Sequence, residues 1–351
     1  MYILGIETSC DDTAAAVIKA EGGLKKPSFS VLSTVSYSQV AIHKKFGGIV
    51  PDLASRAHLE KIAPTVKTAL LMSDINSDEI DLIAVTRGPG LMPSLLIGVN
   101  FARALAYKWQ KPIIGVNHIE GHIYSNWLIN KKIEFPALIL IVSGGHTELV
   151  LMRNYGKYKI IGQTLDDAAG ECFDKTAWLL GLGFPGGPAI AKEAEKFPSF
   201  AKASEGKKID LPRPMINSKD YNFSFSGLKT AVLYLYNDLV KKYPVFKIRP
   251  ALAFEVQNAI VDVLIAKTLK AVRNFNPKSV MIAGGVSANK KLREELAEKL
   301  KSSKIPFFIP DLQYTTDNAA MIAAAGYFNY LKKKLGPNSW KKIVANANLR
   351  L

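Results

Sequence analysis

The same order of secondary structure elements occurs twice along this chain of 351 residues. In each half, three segments with the period of strands precede a helical stretch, and strand and helix then alternate, giving βββαβαβα. First-half elements are predicted at 2–7, 13–18, 31–38, 53–72, 80–86, 93–109, 112–116 and 118–129. Second-half elements are predicted at 137–142, 147–152 and 158–164, at two helical stretches on either side of an insertion, 173–180 and 251–274, and at 279–282, 289–300, 306–309 and 318–333. Because the order recurs although the residues do not, the pattern favours two lobes built on one plan.

A duplicated unit of this order is typical of the α/β superfold shared by actin, Hsp70 and the sugar kinases. In that superfold two ribonuclease H-like lobes enclose a nucleotide cleft. We therefore predict a first lobe over 1–134 and a second over 135–317, with a C-terminal helix over about 318–335 that packs back on the first lobe. Residues 183–250 form an insertion too long for an ordinary connection, so we expect it to serve the site or a partner.

Charge and composition restrict the class of protein. Lys and Arg number 46 against 30 Asp and Glu, a formal net charge of +16. This charge favours a polyanionic partner, although lysines that are merely solvated give the same balance. The two cysteines, Cys10 and Cys172, cannot build a disulfide framework and fit a reducing compartment. No apolar run approaches ~18 residues and no signal peptide pattern is visible, so we predict a cytoplasmic protein without membrane association.

Polar turns of small residues lie at equivalent points of the two halves. The first is Glu7–Thr13, and its counterpart is Ser143–Thr147; further glycine turns lie at Gly183–Pro188 and Ala283–Asn289. Such turns expose backbone N–H groups that suit phosphate oxygens. Either of the first two alone fits a plain hairpin, but their equivalent positions favour a nucleotide site. Neither a Walker A nor a Rossmann motif occurs.

Two of the five histidines, His118 and His122, are four residues apart. On a helix both rings then lie on one face, one turn apart, so both can bind one metal ion. Surface or capping histidines are the alternative, but the pair follows a predicted strand, where α/β sites form. Two histidines leave a divalent ion short of ligands, and Asp317 is the candidate third ligand. The zinc protease motif has Glu directly after its first His; here Ile119 stands there, and Glu120 is rotated about 200° away.

Several long motifs follow one another in order along the chain. They are GIETSCD from Gly5, FGGIVPDLASRAH from Phe46, NHIEGH from Asn117, LIVSGGHT from Leu140, DDAAGECFDK from Asp166, GFPGGP from Gly183, FSFSGLKT from Phe223, AGGVSAN from Ala283 and DNAAMIA from Asp317. In these motifs the sequence resembles the bacterial branch of the tRNA threonylcarbamoyladenosine transferases, the TsaD family, formerly called O-sialoglycoprotein endopeptidases. The resemblance covers nearly the whole chain, up to about Lys334.

The resemblance implies a reaction. The family transfers an L-threonylcarbamoyl group from threonylcarbamoyl-adenylate to N6 of adenosine 37, beside the anticodon of tRNAs reading ANN codons, and AMP leaves. It also implies one transition metal, Fe²⁺ or Zn²⁺, on His118, His122 and Asp317. The implied adenylate-binding residues are Ile141, Val142, Ser143, Gly144, Gly145, Asp174, Gly187 and Asn289. As the proton acceptor we predict a carboxylate of the first turn, Asp11 or Glu7; for Glu7, ordering of the turn is the alternative.

The chain departs from the family pattern at two places. Archaeal and eukaryotic relatives have a metal-binding tyrosine where this chain has Ile141, which favours the bacterial or organellar branch. Many relatives have a ribose-binding carboxylate after the Gly-Gly-Pro turn, where this chain offers Ala191 and Glu193, so that contact is not expected here.

Partners and competing functions complete the predictions. The resemblance implies tRNA as substrate, together with an inactive TsaB-type paralogue and a TsaE-type ATPase, or a homodimer instead. We expect a basic path for tRNA over Lys44, Lys45, Arg56, Lys207, Lys208, Lys219, Lys241 and Lys242. The alternatives are an ATPase or sugar kinase of the same superfold, which needs a carboxylate set for Mg²⁺, and a secreted metalloprotease.

Overall fold

The computed structural model describes residues 1–129, 132–197 and 209–351. The strands are β1 Tyr2–Glu7, β2 Asp12–Glu21, β3 Ser28–Ser38, β4 Leu82–Gly88, β5 Ile113–Asn117, β6 Ala137–Val142, β7 Thr147–Asn154, β8 Lys157–Gln163, β9 Ser279–Ala283 and β10 Phe307–Phe308. The α-helices are α1 Val40–His43, α2 Pro51–Ser73, α3 Met92–Trp109, α4 His118–Tyr124, α5 Ala169–Leu179, α6 Gly186–Ala194, α7 Ser226–Val240, α8 Val245–Phe275, α9 Lys290–Lys301 and α10 Ala319–Lys332.

The chain divides into two compact units. The first comprises Met1–Glu134, Met152–Tyr158 and Phe308–Leu351, and the second comprises Phe135–Leu151 and Lys159–Phe307. The sequence predicts that the second lobe runs to residue 317, whereas in the structure the chain from Phe308 belongs to the first unit. The short segment around the β7–β8 turn also belongs to the first unit. Proximity in space rather than chain order decides both assignments.

The first unit is built on a five-stranded sheet of order β3-β2-β1-β4-β5. β1 is antiparallel to β2, and β2 to β3, while β1, β4 and β5 are parallel neighbours. Ile3, Leu4 and Ile6 of the central strand are completely buried. A strand covered on both faces needs such a continuous apolar run, which explains why the sequence pattern located it.

Helices cover both faces of this first sheet. On one face, Leu4 and Ile6 share a core with Ile62 of α2 and Val99 of α3. Successive side chains of a strand point to opposite faces, so Gly5 faces the other helix layer. A Cβ on Gly5 would lie 2.1 Å from the carbonyl oxygen of Ala319, in α10. The missing side chain is therefore what lets α10 pack directly on the middle of the sheet.

The C-terminal residues after α10 complete the same core. Arg103 Nε donates to the carbonyl of Trp340 at 3.1 Å, and the N–H of Ile113 donates to Ser339 Oγ at 2.9 Å. The ring of Trp340 also contacts Tyr107 edge-on. This stretch carries no recognisable motif, and its role is packing within the first unit.

The second unit repeats the plan with the order β10-β9-β6-β7-β8. When the strands of each lobe are numbered from one, both sheets read 3-2-1-4-5, and the parallel pair β6–β9 corresponds to β1–β4. The prediction of a duplicated ribonuclease H-like α/β fold is confirmed. Helices α6 and α7 both pack against the long helix α8. Both belong to the insertion, where the Gly-Gly-Pro signal indicated only a turn.

Over the described residues, no helix combines the length and the apolar character that crossing a bilayer requires.

Candidate active site

Three parallel strands of the first unit end side by side. β1, β4 and β5 pair in parallel and finish at Glu7, Gly88 and Asn117. Side chains that follow such adjacent ends collect at one edge of the sheet. This edge therefore brings the first turn of the chain, Glu7–Thr13, to the start of α4.

Helix α4 presents both predicted histidines on one face. The side chain of Asn117 caps the helix, with Oδ1 accepting from the N–H of Ile119 at 2.8 Å. The rings of His118 and His122 lie 4.7 Å apart, centroid to centroid. Asp317, directly before α10, directs Oδ1 toward both rings, 3.4 Å from His118 Nε2 and 3.3 Å from His122 Nε2. The three residues together form a group that can hold a metal ion.

The spacing and burial of this group fit a bound metal. Ligand bonds of roughly 2.0–2.2 Å at tetrahedral or octahedral angles put neighbouring ligand atoms about 3–3.5 Å apart. His122 is completely buried, and within the described residues neither ring nitrogen makes a hydrogen bond of good geometry, although Nε2 lies 3.3 Å from Asp317 Oδ1. A buried imidazole without partners is costly unless another ligand satisfies it. We conclude that the donor set suits a divalent transition metal.

Glu7 contacts the metal group, which is His118, His122 and Asp317, at the His118 ring nitrogen that does not face Asp317. It is completely buried, and its Oε2 lies 3.1 Å from Nδ1 of His118 and accepts from Thr86 Oγ1 at 2.6 Å. Its Oε1 accepts from the N–H of Ser9, whose Oγ also lies 3.1 Å from His118 Nδ1. A carboxylate on the second nitrogen of a metal-binding histidine fixes its tautomer and orientation. The sequence offered no signal for Thr86 or Ser9 in this arrangement.

The surroundings of α4 shift the pKa values of its two histidines in opposite directions. Burial lowers the pKa of His118, but the nearby carboxylates of Asp317 and Glu7 outweigh it and raise that pKa to about 9. Burial lowers the pKa of His122, and the neighbouring His118 lowers it further. Burial raises the pKa of Glu7, yet the attraction of His118 brings it below its usual value. Without metal, His118 therefore carries a proton at neutral pH and His122 does not.

The first turn adds two half-buried carboxyls, Asp11 and Asp12. Burial and the charge of Asp317 raise the pKa of Asp11. The same two causes, with Asp11 itself, raise the pKa of Asp12 to about 7. Asp11 is a proton acceptor predicted from the sequence, whereas Asp12 is not. A carboxyl whose pKa is raised toward neutrality is suited to accept a proton.

Glu120 lies between the two histidines in sequence but uses its carboxylate elsewhere. Its Oε1 accepts from the hydroxyl of Tyr158, and its Oε2 from Nδ2 of Asn329, both at 2.9 Å. The expectation that Glu120 points away from the metal group agrees with these contacts. They tie α4 to α10 and to the start of β8, all within the first unit.

The second unit holds an open turn at the end of β6. Two hydrogen bonds join Ser143 and His146 at the base of this turn. The N–H of Ser143 donates to the carbonyl of His146, and Oγ of Ser143 accepts from the N–H of His146. A Cβ on Gly144 or Gly145 would meet nothing within 4 Å. Among the described residues, no hydrogen bond engages the N–H groups of these two glycines, so both are free for an anionic group.

Other predicted binding residues of the second unit are partly committed to the fold. Ile141 and Val142 are completely buried, main chain included, so neither is exposed to a ligand in this structure. Asn289 caps α9 by accepting from the N–H of Leu292 at 3.1 Å, and its Nδ2 donates to Gln257 at 2.9 Å.

Asp174 and Gly187 meet at the start of α6. Oδ1 of Asp174 accepts from the N–H of Gly186 at 2.6 Å, and a Cβ on Gly187 would meet nothing within 4 Å. The carboxylate therefore orders the glycine turn, which leaves the backbone at Gly187 accessible.

Two lobes of one strand order define a protein of the actin-like, nucleotide-binding superfold. The first lobe holds a His-His-Asp group that can bind a metal ion, and the second lobe holds glycine turns with free N–H groups. The family model described as tRNA N6-adenosine threonylcarbamoyltransferase (TsaD) matches residues 30–324. The chain belongs to this family, and it transfers a threonylcarbamoyl group to N6 of an adenosine in tRNA.

Curated relatives agree with this assignment, and a solved structure agrees with the fold. A tRNA N6-adenosine threonylcarbamoyltransferase of Caldicellulosiruptor saccharolyticus is 49% identical over 332 residues, 95% of this chain and 94% of the relative. That of Bacillus subtilis is 48% identical over 334 residues, covering 95% and 91%. Full-length HypF, in its phosphate- and nucleotide-bound form, is similar in fold with a TM-score of 0.56 at 12% identity. The match covers 97% of this chain and 56% of HypF, and it bears on the fold alone.

Proposed function

We propose that the donor is threonylcarbamoyl-adenylate and that the acceptor is N6 of adenosine 37 in tRNAs reading ANN codons, with release of AMP. The observation that carries the adenylate assignment is the open Ser143–Gly145 turn with its two free N–H groups. In this proposal the turn binds the phosphate, while Asp174 and the backbone at Gly187 and Asn289 bind the nucleoside. Ile141 and Val142, which are completely buried, would hold the turn in place.

The chemistry requires one bond to form and one to break. N6 attacks the carbamoyl carbon, the new C–N bond forms, and the bond from that carbon to the phosphate oxygen breaks. AMP leaves with the electron pair, and N6 loses a proton. We assign that proton to Asp11, whose raised pKa suits the task. Holding donor and acceptor in register supplies a large part of the rate, up to ~7–11 kcal/mol in well-aligned cases.

His118, His122 and Asp317 would hold the metal ion. Two imidazoles and a carboxylate suit Fe²⁺ or Zn²⁺, and we propose Fe²⁺ with Zn²⁺ as the second candidate. Such an ion, when bound, supplies Lewis acidity toward carbamoyl or phosphate oxygens. We propose a positioning role for Glu7 rather than proton transfer, because both its oxygens are engaged and it is buried.

The rest of the tRNA would bind to lysines and arginines at the surface. Lys44, Lys45 and Arg56 of the first unit are exposed, as are Lys219, Lys241 and Lys242 of the second. Lys207 and Lys208, also predicted for this path, lie outside the described residues. Contacts of this kind bind phosphate and weaken as salt rises.

Protein partners and location stay predictions from the family. They are a TsaB-type paralogue with a TsaE-type ATPase, or a second copy of this chain, all in the cytoplasm.

Transfer of labelled threonylcarbamate from the adenylate to tRNA tests the proposal, with and without added partners. We expect label in tRNA, equimolar AMP, and loss of adenylate affinity in Asp174→Ala with metal content intact. Phosphorylation of a free sugar by ATP, or no label in tRNA under any condition, contradicts the proposal. Full metal content in both His118→Ala and Asp317→Ala contradicts the metal assignment.

A further inference from the structure

Phe46 is a large aromatic residue that the first unit leaves outside its core. Its side chain is 60% exposed, and Lys44 and Lys45 directly before it are exposed as well. The three residues form a single 3-10 turn that ends at Gly47, with φ of 69°. A Cβ built on Gly48 would meet nothing within 4 Å, so the space beside the turn is open.

Both ends of this exposed turn are held by one buried histidine. His43 is completely buried; its Nε2 lies 3.1 Å from Oε1 of Gln39, and its Nδ1 accepts from the N–H of Val50 at 3.3 Å. The loop between His43 and Val50 is therefore closed at its base. A surface fixed in this way loses little conformational entropy when a ligand binds.

The same anchor connects the loop to the predicted proton acceptor. The N–H of Gln39 donates to the carbonyl of Asp11 at 3.0 Å. From Gln39 to Phe46 the chain is helical or 3-10, rising roughly 1.5–2 Å per residue, which puts Phe46 on the order of 15 Å from Asp11. If the reacting adenosine lies at Asp11, the nucleotides that flank it can span the distance to Phe46.

We propose that Phe46 is a stacking platform for an unpaired base of the tRNA anticodon loop next to the reacting adenosine, with Lys44 and Lys45 on the flanking phosphates. Single-stranded RNA is bound by this combination of an aromatic ring and cations. The charge pattern favours RNA over a protein partner, because nothing acidic accompanies Phe46 within the turn. The inference rests on the proposed tRNA path and identifies one interaction within it.

Steady-state transfer kinetics with Phe46→Ala, Phe46→Trp and Phe46→Leu test this inference in the assembly that supports wild-type transfer. The KM for tRNA should rise about tenfold in Phe46→Ala, as expected when one base no longer stacks on an aromatic ring, return near wild type in Phe46→Trp, and stay raised in Phe46→Leu. Leu24→Ala, at a remote exposed apolar residue, should leave the KM unchanged. 2-Aminopurine next to the target adenosine should be quenched by wild type and not by Phe46→Ala.

Three results would overturn the inference. The first is that Phe46→Ala changes neither the KM for tRNA nor the quenching of 2-aminopurine. The second is that the KM for tRNA returns fully to the wild-type value in Phe46→Leu. The third is that Phe46→Ala weakens the binding of a protein partner and leaves tRNA binding intact. A wild-type protein that transfers nothing to tRNA instead refutes the proposed function, so the two failures are distinguishable.

Discussion

His118 carries a proton that a metal ion must displace. Its pKa of about 9 in the metal-free protein exceeds the ordinary value of 6.5 because Asp317 and Glu7 face it. The protonated ring therefore stabilises the metal-free protein fully below pH 6.5 or so, and that contribution disappears as pH rises through about 9. The affinity for a metal ion instead rises with pH, because each ion that binds releases this proton.

We expect the apparent affinity for Zn²⁺ to rise about tenfold per pH unit from pH 7 toward 9, and then to level off. Competition with a chelator of known affinity measures it. In Glu7→Gln the plateau should begin at lower pH, because one negative charge near His118 is gone. Affinity on the plateau should fall roughly 10–100-fold, the usual effect of losing a carboxylate behind a metal-binding histidine. A flat pH profile in both proteins contradicts the assignment.

Asp11 and Asp12 are adjacent carboxyls that a matched pair of variants can separate. Asp11→Asn should lower kcat for transfer by roughly 10²–10⁴ without changing metal content, since a general base contributes that much. Because the pKa of Asp11 is raised, wild-type activity should fall with decreasing pH above the range of an ordinary Asp. The pH–rate profile of kcat measures it. The same loss in Asp12→Asn with Asp11→Asn active would move the proton acceptor to Asp12, whose pKa is about 7.

Among the secondary structure elements, the short helix α4 depends on contacts with the elements packed against it. α4 has seven residues, too few to be stable alone, so its position depends on its cap and its packing. Glu120 hydrogen-bonds it to α10 and to the start of β8. The geometry of the metal group therefore depends on residues that bind no metal.

Glu120→Ala should leave the hydroxyl of Tyr158 and the amide of Asn329 without their acceptor. We expect a loss of about 1–3 kcal/mol in the free energy of unfolding and weaker metal binding. Thermal unfolding with and without metal measures both effects. Glu60→Ala, at an exposed residue of α2, is the control and should change stability by no more than about 0.5 kcal/mol. Equal behaviour of the two variants would contradict a role for Glu120 in positioning α4.

The sequence was most informative where local pattern decides structure. The strand at Tyr2–Glu7 and the helix ending at Trp109 match their predicted positions because periodicity and burial agree there. The i,i+4 histidines likewise predicted a shared helix face. Thr86 could not be predicted beside Glu7, nor Ser9 beside His118, since these contacts join segments far apart in the chain. Helix α7 was missed because few of its residues are buried, which leaves a weak pattern.

At the scale of the whole molecule, the charge of +16 matters through its distribution. Lys44 and Lys45 follow β3, whose end at Ser38 pairs with Asp12 beside the proposed site. Lys25 and Lys26 lie in the turn at the other end of the same hairpin, where Glu21 pairs with Ser28. The two lysine pairs thus have equal charge at opposite ends of one sheet.

Charge reversal of each pair to Glu separates a binding path from general attraction. The Lys44–Lys45 variant should weaken tRNA binding and reduce the slope of log K against log salt by about two, one for each phosphate that is no longer neutralised. The Lys25–Lys26 variant should change the slope far less. Filter binding or fluorescence titration across salt concentrations measures the slopes. Equal slopes in both variants would mean that position on the surface is irrelevant to tRNA binding.

The assignment of Phe308–Leu351 to the first unit has a consequence for synthesis on the ribosome. The lobe begun first is the last to be finished, because Gly5 and its neighbours wait for α10 to cover their face of the sheet. Every residue of the second unit has left the ribosome by then. Asp317 arrives in this same closing segment, so a nascent chain lacks one metal ligand until almost all of it has been translated. A product truncated before Asp317 therefore lacks one of the three residues that can hold the ion, so metal loading distinguishes it from a chain that includes this segment.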